Sequence, residues 1–200
     1  MNTVVPTLVD RIRDALDTTG AIVAGIDDPQ LGLPSLCPGW DVRFELNHLV
    51  GGLRVFAAEL THTDPGGGHH DDWLGTHHRT AYAAAAHLDR EAWSRPGALD
   101  TTVRLGFGPV PGPMAALIHL TEILVHGIDL AVATGQQPLI DDQQADHLLS
   151  VMRSMDFDAF RRPGMFGPAQ PSSADAPAHQ RLLAFLGRST SVTACSVRSD

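Results

Sequence analysis

The stretch His119-Leu120-Thr121-Glu122-Ile123-Leu124-Val125-His126-Gly127-Ile128-Asp129 decides how this chain is read. Four ionisable side chains, His119, Glu122, His126 and Asp129, recur along it in steps of three, four and three. At about 100° per residue, those steps keep them within roughly one quadrant of a helix. The flanking residues 114–118 and 130–133 are apolar, so the helix is apolar nearly all round, as core helices are. Ionisable groups in a core are costly unless they are paired or bind a metal.

Glu122 and His126 stand at i and i+4, one above the other, and can hold one ion together. A third ligand must come from a facing helix, and His48 is the best-placed candidate. Two imidazoles and a carboxylate suit zinc or another borderline divalent metal. Three protein ligands leave one position open, as in catalytic sites. The same spacing fits equally well a hydrogen-bonded Glu122–His126 pair that only stabilises the core; Glu-x-x-x-His does not separate the two. His119 and Asp129 read as pocket or core polar groups. Asp129 can also hold His126 from behind, or take a backbone or arginine contact.

Working outward, hydrophobic periodicity predicts a first helix over residues 7–26 and a second, capped by Asp41, reaching residue 60. His48 sits on the second helix beside Phe44, Gly51, Gly52 and Val55; the glycines leave room for another helix or a ligand to approach. Asp72 is the expected cap of a third helix over residues 73–88, and residues 101–105 suggest a small strand or hairpin. The apolar helix begins at Pro113 and stops at Gly135. A fifth helix, capped by Asp141, is expected to reach residue 160, and a last short one to span residues 178–186. Residues 1–188 read as a single helical-bundle domain and residues 189–200 as a flexible tail.

A chain of 200 residues with 43% hydrophobic content suits one domain with a substantial core. A formal net charge of -9 and the lack of any basic cluster argue against nucleic-acid binding. No segment reads as a membrane span or a secretory leader, so a cytoplasmic location is expected. Cys37 and Cys195, far apart and without C-x-x-C spacing, exclude a disulfide scaffold and a cysteine-rich zinc module.

Two further candidates carry less weight. His69, His70, Asp71, Asp72, His77 and His78 look like a metal tract, but they follow three glycines and open a helix, where charged groups are solvated and ordering costs backbone entropy. Cys37 precedes Pro38, has no obvious base beside it, and reads as packing rather than a nucleophile.

The stretch Cys37-Pro38-Gly39-Trp40-Asp41-Val42-Arg43, followed by Asn47-His48-Leu49-Val50-Gly51-Gly52, resembles the second helix of the DinB-like superfamily in its mycothiol-dependent maleylpyruvate isomerase branch. Glu122-Ile123-Leu124-Val125-His126-Gly127-Ile128-Asp129-Leu130, ending at Gly135-Gln136, is similar to that branch's other signature. Phe166-Gly167-Pro168 and residues 181–188 resemble an actinobacterial subgroup of metal-binding proteins. The similarity extends to Arg188.

The resemblance implies an all-α, DinB-like four-helix bundle with additional C-terminal helices. It implies a divalent metal, often zinc, held by His48, Glu122 and His126, which tips the balance toward the metal reading. It supplies no ligand role for His119 or for the His69–His78 cluster. It also implies a low-molecular-weight thiol, mycothiol in actinobacteria, as cosubstrate, with an electrophilic small molecule as the other partner. Bundles of this type often dimerise, so a homodimer is an expectation too. The isomerase proper carries an additional C-terminal domain, whereas here one long and one short helix follow Gly135. A stand-alone metal-dependent thiol S-transferase is therefore the preferred reading. The alternatives are the isomerase itself, a non-catalytic metal or small-ligand binding bundle, and a structural bundle in which Glu122 and His126 are only hydrogen-bonded.

Overall fold

The structure, a computed structural model, describes residues 5–162 and 165–189. The chain divides into two compact units, Met1–Gln144 and Ala145–Asp200. Cys195 and nearly all of the expected tail lie outside the described residues.

The first unit is built from α1 (Leu8–Ala24), α2 (Val42–Thr61), α3 (His78–Trp93) and α4 (Gly112–Ala133). α1 packs on α3 and α4, and α2 packs on the same two, which is the neighbour pattern of a four-helix bundle. The helix starts follow from local chemistry. Thr7 and Asp10 form a reciprocal capping box at α1. Asp41 accepts the backbone N–H of Phe44 at 2.7 Å and caps α2. A two-stranded antiparallel hairpin, β1 (Thr102–Leu105) and β2 (Gly108–Pro111), leads into α4. Gly135, at φ 76°, supplies the left-handed residue that follows the end of α4.

The pairing of α2 with α4 positions the site. Glu45 meets His126, His48 meets Glu122, and the rings of Phe56 and His119 lie 4.0 Å apart. Rising numbers on α2 thus match falling numbers on α4, so the two helices run antiparallel. On the other side of α4, Gly127 lets α1 approach so closely that a Cβ there would run into the side chain of Thr19. With 22 residues, α4 is long and apolar enough to cross a membrane, which the sequence reading did not anticipate; 78% of its most apolar window is buried inside the fold.

Two expected boundaries are corrected. Asp72 does not cap α3: its carboxylate accepts from Arg43 at 3.2 Å and from the Gly75 backbone at 3.2 Å, closing a turn. The backbone N–H of Trp73 is held by Asn47 at 2.8 Å, so residues 69–76 stay a loop against α2 and the helix starts at His78. The fifth helix, α5 (Asp142–Arg153), stops short of residue 160 because Ser154 bonds back to the Val151 carbonyl at 2.7 Å. A separate 3₁₀ turn, Phe157–Phe160, follows.

Most of α5 belongs to the second unit, together with α6 (Ala178–Phe185). That unit gathers Phe157, Phe160, Phe166 and Phe185 into an aromatic cluster. Arg161 lies over the rings of Phe157 and Phe185 and donates to the carbonyls of Gly167 and Phe185.

Candidate metal centre

His48 from α2 and the pair Glu122 and His126 from α4 each offer one donor atom to a common cluster, all three within 4.8 Å of one another. Glu122 Oε2 stands 3.3 Å from His48 Nε2 and 3.3 Å from His126 Nε2. Charge-assisted N–H···O⁻ bonds are shorter, about 2.7–2.9 Å. Two donors about 2.0–2.1 Å from a tetrahedral zinc are, by geometry, about 3.3–3.4 Å apart. The 3.3 Å spacing is a long hydrogen bond and is also the spacing of two donors around one small cation, so the donor set fits such an ion.

The orientation of His126 is set from behind. Its Nδ1 lies 2.7 Å from Glu45 Oε1, on a side chain with 0% exposure. That contact leaves Nε2 turned toward Glu122, the arrangement in which a carboxylate fixes the tautomer of a metal-binding histidine. Asp129, considered for this role, lies 3.8 Å from the same nitrogen, beyond hydrogen-bond range. Burial raises the Glu45 carboxyl, but the hydrogen bond and charge of His126 outweigh it and hold Glu45 below its ordinary value.

For Glu122, burial likewise works upward and is overcome by the hydrogen bonds of His126 and His48, so its carboxyl sits well below the usual range. Burial opposes a charged His126, yet Cys37, Glu122 and Glu45 outweigh it and raise its pKa well above the ordinary value. Without metal, these contacts favour the protonated form of His126, and a cation entering the cluster competes with that proton.

Cys37 has more neighbours than its sequence context suggested. Its Sγ lies 3.6 Å from Glu45 and 3.8 Å from Asp129, and burial is the main cause that pushes its thiol up. A raised thiol is a poor nucleophile, consistent with a packing role. Trp40 flanks the cluster, its ring 5.0 Å from His48 and stacked 6.0 Å from His126, with Phe44 packed edge-on at 4.7 Å. Phe44 is 44% exposed, so this aromatic wall borders the solvent side of the cluster.

The remaining stripe residue, His119, turns elsewhere. It pairs at 2.9 Å with Asp89 of α3 between Phe56 and Trp93, with exposures of 1% and 0% for the two side chains. Sequence reasoning missed both Glu45 and Asp89. The signal was there: Glu45 is three residues after Val42 and four before Leu49, on the buried stripe of α2. His69 and His70 are brought beside His48, with ring centroids 4.5 and 5.8 Å away; His69 is half-buried there, while His70 stays exposed, as expected of a solvated loop residue.

These features define a four-helix-bundle protein with a half-buried histidine–carboxylate cluster between two of its helices. The chain belongs to the mycothiol maleylpyruvate isomerase N-terminal domain family, whose model matches residues 12–131 and so includes His48, Glu122, His126 and Glu45. It is 34% identical over 176 residues to uncharacterized proteins from two strains of Mycobacterium tuberculosis, covering 87% of this chain and 93% of theirs. No solved structure matches.

Proposed function

We propose that this protein is a metal-dependent S-transferase that joins a mycothiol-type low-molecular-weight thiol to a small electrophile in the cytoplasm. In this reading, His48, Glu122 and His126 hold one zinc or similar divalent ion. The observation that carries it is the 3.3 Å spacing of Glu122 Oε2 from both imidazole nitrogens, with His126 anchored by Glu45. The family's description, which names mycothiol, supports the thiol.

When bound, the ion would supply positive charge that lowers a thiol's pKa toward neutrality. The chain's own residues do the rest. Glu45 keeps Nδ1 of His126 protonated and so reserves Nε2 for the ion. Glu122 would contribute one negative charge, so the ion and its three direct ligands would keep one positive charge toward an anionic sulfur. Trp40 and Phe44 cover the cluster with apolar surface, which limits water and gives an organic electrophile a face to pack against. An isomerase that uses the same thiol is the second reading, supported by the isomerase in the family's description.

Metal analysis of protein purified without an affinity tag tests the centre. His126→Ala is expected to lose one equivalent, and an unchanged metal content would sink the assignment. Turnover assays with mycothiol and electrophiles such as a bimane or an epoxide separate the readings. Thiol-dependent product formation supports the transferase, while a filled centre with no turnover leaves a metal-binding bundle.

A further inference from the structure

We infer that His48, His69 and His70 form a second divalent-cation position beside the first, with His48 common to both. One imidazole nitrogen from each lies within 4.8 Å of the other two. Neither His69 nor His70 falls within the same 4.8 Å set as His48, Glu122 and His126.

The histidines arrive on a loop that is fastened along one face of α2. Asn47 donates to the Asp71 carbonyl at 2.9 Å and accepts from the Trp73 backbone at 2.8 Å. Arg43 reaches Asp72 and the Gly75 carbonyl, and the guanidinium of Arg54 lies 4.6 Å over the Trp73 ring. Gly51 makes the approach possible, because a Cβ there would run into the carbonyl oxygen of His69. A loop held at this many points places its histidines by construction.

The nitrogens divide accordingly. His69 Nε2 is 3.1 Å from the carbonyl of His48, and donating there leaves Nδ1 with its lone pair. His48 directs Nε2 to Glu122, while its Nδ1 is buried and has no hydrogen-bond partner. A second cation gives that orphaned nitrogen a role, and filling both positions at once takes His48 as a bridging imidazolate whose ring proton is released to solvent. His70 is exposed, so this position opens to solvent and exchanges its ion more readily than the first. Its donors are all imidazoles, which select copper, nickel, cobalt or zinc over magnesium and calcium.

The second position shares His48 with the proposed centre but is tested separately from it. Full-length, tag-free protein is stripped with a chelator and titrated with cobalt(II), with absorption spectra and metal content both measured. The expected result is an equivalent that disappears in His70→Asn and persists in His126→Asn. A cobalt count unchanged by His70→Asn would overturn the second position, whatever His126→Asn does. The first centre is judged by the equivalent lost in His126→Asn alone.

Discussion

Glu45 Oε1 lies 2.7 Å from His126 Nδ1, a contact between α2 and α4 made with both side chains buried. It decides which nitrogen of His126 faces Glu122. Removing such a partner typically weakens metal binding about 10–100-fold. Glu45→Gln keeps the shape and an acceptor but removes the charge. It is expected to lower zinc affinity by roughly that factor, measured by competition with a chromophoric chelator. Unchanged affinity would mean that Glu45 is only a packing partner.

The same contact gives a pH dependence with a definite sign. In metal-free protein, His126 has a pKa raised well above 6.5, so its stabilising effect is complete below 6.5 and is lost as pH rises through the raised value. Glu45 is depressed below 4.5, so its effect is present above 4.5 and is lost as pH falls through the depressed value. The metal requires the Nε2 lone pair of His126 and competes with that proton. Melting curves with and without chelator are therefore expected to separate more widely as pH rises above 6.5. A gap that narrows over that range would contradict the proton–metal exchange.

The fold could be read from the sequence wherever one local signal dominated. The caps at Thr7 and Asp41, the stripe on α2, and the Pro113-to-Gly135 limits of α4 are such cases. The grouping of His48 with Glu122 and His126 rests on the i, i+4 spacing together with the family resemblance, since spacing alone fits a plain Glu122–His126 pair equally well. The rest depended on tertiary partners. Asp72 looks like a helix cap until Arg43 takes its carboxylate, and His69 looks solvated until Asn47 and Gly51 draw its loop onto α2, where His70 stays exposed. Glu45 was hidden because a carboxylate on an apolar stripe shows its purpose only when its partner across the bundle is known.

Asp89 and His119 are a buried pair remote from solvent, and they carry a stability prediction. Burial pushes the Asp89 carboxyl up, while His119 pulls it back. Removing one member leaves the other without its partner in an apolar core, at a cost of about 3 kcal/mol or more. Asp89→Ala should show that loss in urea unfolding. Replacing both with Leu should recover much of it, since an apolar pair of similar volume needs no hydrogen bond. A double variant as unstable as the single one would show that the pair contributes through shape alone.

Gly51 and Gly52 are neighbours on α2 but meet the histidine loop differently. A Cβ at Gly51 would strike the backbone oxygen of His69 and come within 3.0 Å of Trp73 Cδ1; one at Gly52 would meet only His69 Nε2 at 3.4 Å. The first contact involves backbone that cannot turn aside, while the second is an ordinary packing distance. Gly51→Ala is therefore expected to displace the loop and cost about 1–3 kcal/mol, the usual range for overpacking. It should also weaken the cobalt equivalent that depends on His70. Gly52→Ala should be tolerated, and can stabilise the protein by up to about 1 kcal/mol through helix propensity. Urea unfolding of the two variants, with cobalt titration of each, compares them directly. Equal behaviour would mean that the loop does not depend on the close approach at Gly51.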